Sequence, residues 1–307
     1  MRDYLVSGVP LRDPQGKYFI DYTRSVLLGD LSRTINSNST YGYHGDTPET
    51  DNYFGTSKET IVLNVLGDDK EEHQKFLKGF HSLFSRIDFP IVTAPQRSSL
   101  AAGSGRAGRS FNVSNDLVHT ARGRMVGSLA IERLNETTAR ITIILELISG
   151  FYRSLNEYTS ASIPITAATV TADLAAIAGD STAPITVGKM RVKGPIAVGG
   201  WVRVYDRALA RGVGVRAPVS TAISATEYVI LDFETLKASK ATTDSWTGTT
   251  NMDNRVDIFG EGAFFFDAGE PESNWPDSMD YSATLKSVGY TAGTTAVEFR
   301  VKRSYLS

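Results

Sequence analysis

The residues best able to do chemistry in this chain are scattered, and their spacing limits what they can do. Five acids, Asp267, Glu270, Glu272, Asp277 and Asp280, crowd one stretch of the second half. Clustered carboxylates hold calcium, but this spacing is not that of an EF-hand loop. A carboxylate pair also serves glycoside hydrolysis. Any acid cluster permits both, and a solvated, turn-rich surface loop is the plainer reading. The histidines, His44, His73, His81 and His119, all fall in the first half. No His-x-x-Glu-His spacing joins them, and His73 and His81 are not four apart, so they form no helical metal pair. Gly103, Gly105 and Gly108 spell GxGxxG. A dinucleotide site needs a buried strand before that pattern and a helix opening within it. Here PQRSSLAA precedes and RSFNVSND follows, so the context is wrong on both sides. No GxSxG elbow occurs. The chain has no cysteine, which excludes disulfides, thiolate metal sites and a cysteine nucleophile. No catalytic residue, metal ligand or cofactor is nominated, and the chain does not read as an enzyme. Of the tryptophans Trp201, Trp246 and Trp275, the last two sit in polar, loop-like contexts. An exposed indole there could stack on a sugar, or it could cap a core.

Composition sets the frame for these residues. At 307 residues, two domains are expected. Apolar residues make up 41% and charged residues 21%, with a net charge of −2, which fits a folded soluble protein. Up to residue 155 there are 18 basic and 17 acidic side chains; after it there are 14 and 17. Neither half carries the clustered positive charge of a dedicated duplex-DNA binder. The first residues, MRDYLVSGVPLRDPQGK, do not read as a secretory signal. No apolar run approaches the roughly 20 residues that span a bilayer, so no membrane is expected.

The elements that would position these residues are mostly strands. Residues 1–35 read as short strands with tight turns. Residues 36–57 are polar, aromatic and glycine-rich, and read either as a mobile surface loop or as an arm touching a neighbouring subunit, with Tyr41, Tyr43 and Tyr53 as its contacts. TIVLNVL, residues 60–66, is a strand by its branched content. A helix follows, with Asp68 as N-cap and Glu71 three residues on. Phe76, Leu77, Phe80, Leu83, Phe84 and Ile87 form its apolar stripe, and Pro90 marks its end. Residues 95–124 form a basic connection with Arg97, Arg106, Arg109, Arg122 and Arg124. It reads as a flexible loop, or as a loop that lines a channel or meets a neighbouring subunit. Residues 125–134 and 138–147 make a hairpin around Asn135-Glu136-Thr137.

Near residue 155 the composition shifts to small residues, dividing the chain into domains at 1–155 and 156–307. Residues 182–206 then hold two strand-like runs broken by Gly194-Pro195 and Gly199-Gly200, read as the opening sheet of the second domain. Further strands are expected at 226–233, 255–258, 262–266, 281–288 and at the end, where Val297, Phe299 and Val301 alternate with Glu298, Arg300 and Lys302. Short strands at this spacing argue a jelly-roll β-sandwich. The fold class is therefore mainly β.

This order of elements, with the entry GDSTAPITVGKMRVKGP at 179–195, Asp232-Phe233 after YVIL, and the close AVEFRVKRSYL at 296–306, resembles the distal tail protein family of long-tailed bacteriophages. The resemblance implies a tail-tube-like first domain, a β-barrel or sandwich with one helix, followed by a galectin-like sandwich. It implies a structural role in the virion: a ring, usually a hexamer, that joins the tail tube to the baseplate or tip complex and leaves a lumen for DNA in transit. The implied partners are further copies of the chain, the tail tube protein, the tail hub or tip protein, and the tape measure protein, with assembly in the host cytoplasm. Arg106 and Arg109 are then candidates for subunit or lumen contacts. True galectins bind sugar through a His, Asn-Pro-Arg, Trp and Glu set. The second half has no histidine and no Asn-Pro-Arg, so no galectin site residue carries over. The alternative function is a carbohydrate-binding adhesin contacting the host surface through Trp246 and Trp275.

Overall fold

The computed structural model describes residues 2–30, 33–34, 37–38, 47–48, 53–54, 57–96, 99–101, 110–148, 150–179, 181–206, 211–259, 266, 270–271 and 279–305. The fold is mainly β. Its contacts divide it into two units: Met1–Ile35, Tyr53–Asn156 and Tyr305–Ser307 in the first, Asn36–Asn52 and Glu157–Ser304 in the second.

The first unit is built on an antiparallel sheet. Its principal strands are β1 (Arg2–Val6), β2 (Ser57–Leu66), β3 (Phe89–Pro95), β4 (His119–Met125) and β5 (Thr138–Leu147), in the spatial order β1-β3-β4-β5-β2. β2 and β5 pair along their whole length, from Thr138 opposite Leu66 to Leu147 opposite Ser57. Period-two side chains place Ile61, Leu63 and Val65 on the same face as Ile141, Ile143 and Leu145, all fully buried. Helix α1 (Lys70–Phe84) covers that face with Leu77, Phe80, Leu83 and Phe84. Burying a side chain of this size stabilises the unit by roughly 1.5–3 kcal/mol each.

The helix begins one residue later than the sequence suggests. Asp69 is the N-cap, and its carboxylate accepts from the Glu72 amide at 2.8 Å; Glu72 reaches back to the Asp68 amide at 2.6 Å. It also ends earlier, at Phe84, where the Ser85 amide donates to the His81 carbonyl. Ile87 therefore leaves the expected stripe and is 94% exposed. The segment 95–124 is not one loop. It contains short strands at Leu100–Ala101 and Ser110–Phe111, and Arg122 and Arg124 sit on β4 at exposed positions alternating with buried Ala121 and Gly123. The hairpin at Asn135 forms, with Ala130–Arg133 pairing β5 and the Thr137 amide donating to Asn135 Oδ1 at 2.9 Å.

Among the described residues, the second unit is built on two principal antiparallel sheets. Its strands are β6 (Thr169–Asp173), β7 (Gly188–Lys193), β8 (Ile196–Tyr205), β9 (Gly212–Arg216), β10 (Tyr228–Asp232), β11 (Lys237–Ala241), β12 (Val256–Phe259), β13 (Ser282–Tyr290) and β14 (Ala296–Val301). One sheet runs β14-β7-β10-β11, the other β6-β13-β8-β9-β12. Met190, Val192, Val229, Leu231, Val297 and Phe299 from the first meet Val202, Val204, Val213, Val215 and Leu285 from the second in one core. The small-residue region also holds a single-turn helix, α2 (Ala175–Ala178), that the sequence reading missed.

The two runs within 182–206 do not share a sheet. β7 pairs β10 and β14, whereas β8 pairs β9 and β13 on the opposite side. The chain changes sheet at Gly194-Pro195, where a Cβ on Gly194 would lie 2.1 Å from the Ser224 carbonyl oxygen. Gly199 and Gly200 lie inside β8, at a register shift between Ile196 and Trp201. Among the described residues, no helix is long and apolar enough to cross a membrane.

Candidate functional site: a polar groove on the second unit

Alternation decides what faces outward on the β14-β7-β10-β11 sheet. With Met190 and Val192 in the core, Lys189, Arg191 and Lys193 must point away from it. Lys189 stands opposite Arg300 on one side and Asp232 on the other, and Asp232 stands opposite Lys237. Arg191 stands opposite Glu298 and Ile230, and Ile230 opposite Ser239.

Arg191 lies on the outer face yet is only 7% exposed, because residues 244–246 cover it. Its Nε donates to Glu298 at 3.1 Å, and its Nη1 donates to Asp244 at 2.5 Å and to the Ser245 carbonyl at 3.2 Å. Its guanidinium carbon also lies 4.9 Å from the Tyr228 ring centroid. Burial pulls its pKa down, but Glu298 and Asp244 outweigh that and hold it above the ordinary arginine value. Trp246 is packed rather than freely exposed. The guanidinium carbons of Arg191 and Arg300 lie 4.7 and 4.6 Å from its ring centroid.

Beside this cluster runs a groove of about 400 Å³, lined by Lys189, Ile230, Asp232, Lys237, Ser239 and Trp246 and by residues 247–251. Asp232 Oδ1 accepts from the Glu234 and Thr235 amides at 3.1 and 2.9 Å and from the Thr235 hydroxyl at 3.0 Å. Its Oδ2, the ammonium groups of Lys189 and Lys237, and the indole N–H of Trp246 make no hydrogen bond among the described residues.

The other face of the second unit carries a purely internal network. Asp257 Oδ2 accepts from Arg203 at 2.9 Å and from Arg216 at 3.1 Å. Burial pushes this carboxyl up, and the two guanidiniums more than reverse that, holding it below the usual carboxylate range.

In the first unit, Glu59 is fully buried and its Oε2 accepts from the Tyr152 hydroxyl at 2.8 Å and the Tyr4 hydroxyl at 3.3 Å. His73 is also buried, with Nδ1 3.2 Å from the Glu136 carbonyl oxygen. A second groove, of about 320 Å³, follows α1 between Tyr18, Phe76, Phe80 and Leu83. Three outward arginines are individually neutralised: Arg122 pairs with Asp88, Arg124 with Glu146 and Arg140 with Glu132.

Several residues singled out from the sequence lie outside the described residues: Tyr41, Tyr43, Arg97, Arg106, Arg109, Trp275, His44, Asp267, Glu272 and Asp277. Tyr53 is on a short strand, Tyr53–Phe54, that pairs with Arg33–Thr34. Glu270 and Asp280 stand opposite each other in a two-strand ladder. Among the described residues, no group of His, Asp or Glu is placed to hold a metal. Read from the sequence, Asp232 has no part in a site and Lys237 is not singled out. The outward phase of β7 and the YVILD run carried a signal for Asp232, and the short turn after it sets Asp232 opposite Lys237, but nothing local brings β10 beside β7.

No family model matches the chain, and no curated protein matches it in sequence. Its fold is similar to that of the phage SPP1 Dit protein, described as a paradigm of the hub adsorption apparatus in phages that infect Gram-positive hosts. That likeness covers 98% of this chain and 99% of the other, at TM-score 0.52 and 11% identity. The phage p2 baseplate in its activated conformation with Sr aligns over 99% of this chain and 98% of its own at 12% identity, but at TM-score 0.35, too low to carry an argument. The distal tail protein resemblance read from the sequence is thus matched at the level of the fold.

Proposed function

We propose that the chain is a structural component of a bacteriophage tail tip, a distal tail protein whose copies close into a ring between the tail tube and the baseplate or tip complex. The observation that carries this reading is the likeness to the SPP1 Dit fold, which runs through both units nearly end to end. A closed ring needs heterologous contacts, so each subunit must offer two different surfaces. The apolar groove beside α1 supplies one surface of the required kind. The arm residues Tyr41, Tyr43 and Tyr53 and the arginines Arg106 and Arg109 are proposed as further subunit or lumen contacts. A lumen for DNA in transit must not hold phosphate tightly, and the local pairing of Arg122, Arg124 and Arg140 is compatible with that. The role is non-enzymatic. The partners are further copies of the chain, the tail tube protein, the hub or tip protein and the tape measure protein, and the place of action is the virion after assembly in the host cytoplasm.

Mass photometry with negative-stain imaging tests the ring. The expected species is a closed particle with a central hole, about 200 kDa for six chains of 33.4 kDa. Combined substitution Arg106→Ala and Arg109→Ala is expected to shift that population to smaller species. A chain that stays monomeric at micromolar concentration, both alone and mixed with its tail tube protein, sinks the reading.

A further inference from the structure

We propose that the groove on the outer face of β7, β10 and β11 is a saccharide site, taking one hydroxylated sugar ring through Asp232, Lys189, Lys237 and the indole N–H of Trp246.

The groove is a built feature rather than a gap between loose segments. Arg191 pins its wall to the sheet through Asp244 and the Ser245 carbonyl. The Thr249 amide donates to the Lys240 carbonyl at 2.9 Å, and the Met252 amide to the Ala238 carbonyl at 2.8 Å. Between these ties the wall lies so close to β11 that a Cβ on Gly248 would sit 2.4 Å from Ser239 Oγ. A ligand entering this groove would not have to order it first, which removes one of the main costs of binding.

The lining chemistry selects the class of ligand. Charged groups bordering this sheet and the opposite one are paired internally at Arg191, Asp257 and the Lys240–Glu227 pair. In the groove they are not. Two ammonium groups and an indole N–H offer donors, and Asp232 Oδ2 offers an acceptor, none of them engaged among the described residues. The hydroxyls of Ser239, Thr249 and Thr250 can do either. A hydrocarbon ligand would leave these groups dehydrated and unpaired. A phosphate would face Asp232 and Asp253, and a metal ion would face Lys189 and Lys237. A neutral ring bearing neighbouring hydroxyls both donates and accepts, and meets no opposing charge. The volume, about 400 Å³, falls in the range of small-molecule sites, roughly 300–1,000 Å³. Because Arg191 and Arg300 pack on the Trp246 ring, the sugar is held mainly by hydrogen bonds rather than by stacking. Millimolar affinity per subunit follows, and a ring of several copies would raise it by avidity.

Saturation-transfer NMR on the full chain tests this, with glucose, galactose and N-acetylglucosamine as probes at about 10 mM, a concentration suited to millimolar binding. Transfer from at least one probe is expected. Asp232→Asn keeps the Oδ1 acceptor and replaces only Oδ2, and Lys237→Gln removes an exposed charge that ties nothing down. Each should weaken binding about three- to tenfold at unchanged melting temperature, while Val288→Thr on the other sheet should change nothing. No transfer from any probe overturns the proposal, and so does transfer of undiminished strength in both groove variants. The particle mass of the same samples reports on the ring separately, so failure of one reading is distinguishable from failure of the other.

Discussion

His119 shows what a single residue can contribute without taking part in any site. It stands at the start of β4, 7% exposed, with its ring stacked on Tyr305 at a centroid separation of 3.7 Å and an interplanar angle of 9°. Its buried Nδ1 has no hydrogen-bond partner among the described residues. Burial, and then the positive charge of Arg2, push its pKa down from 6.5 to about 3. The unfolded chain therefore takes up a proton below pH 6.5 that the folded chain refuses. The stability this residue contributes is complete above pH 6.5 and is lost as the pH falls toward 3, by at most about 1.4 kcal/mol per pH unit. His119→Phe keeps a flat ring against Tyr305 and removes the titration. Its stability, measured by urea unfolding at stepped pH, is expected to fall less than that of the parent between pH 6.5 and 4. Parallel curves for the two proteins would show that burial of this imidazole carries no proton linkage. The sequence excluded His119 from a metal pair but could not place it in a core, because its stacking partner comes from the far end of the chain.

At the scale of elements, local signals were read well where the rule is local. The alternation in 189–193 and 297–301 gave the correct inward and outward residues of β7 and β14, and the turn chemistry at Asn135 located the hairpin. The helix was legible too, but two adjacent aspartates each satisfy the capping rule, and spacing alone does not choose between them. The geometry does. Asp69 caps the Glu72 amide, whereas the Asp68 side chain is 82% exposed and meets only Lys17. Asp69→Ala is accordingly expected to cost about 1 kcal/mol by chemical denaturation, and Asp68→Ala to stay within about 0.5 kcal/mol. Equal losses would return the cap to Asp68. What was not legible was the sharing of strands between sheets. β7 and β8 follow one another across Gly194-Pro195, and their partners β14 and β13 arrive only near the end of the chain. Distance hides only part of the candidate groove: Asp232 and Lys237 meet across a short turn, whereas Lys189 joins them only once β7 pairs with β10.

The described residues of the whole molecule form two hydrophobic cores, one around Phe80, Phe84, Phe89 and Ile143, the other around Val192, Val204, Leu231 and Phe299. Each is closed by its own sheets, so each should melt as its own cooperative unit. The chain path adds a complication: Tyr305 belongs to the first unit although it follows the last strand of the second. Three variants separate these cases in calorimetry. Phe80→Ala and Phe299→Ala each open a large cavity and should remove about 3–5 kcal/mol from one core only. Two transitions are expected, with Phe80→Ala lowering one and Phe299→Ala the other. Tyr305→Ala removes the ring stacked on His119, so it should move with Phe80→Ala and not with its sequence neighbour Phe299. If all three variants instead displace one shared transition by similar amounts, the two cores unfold together and the division into independent units fails. If Tyr305→Ala follows Phe299→Ala, Tyr305 serves the second core, and the first unit ends at Asn156.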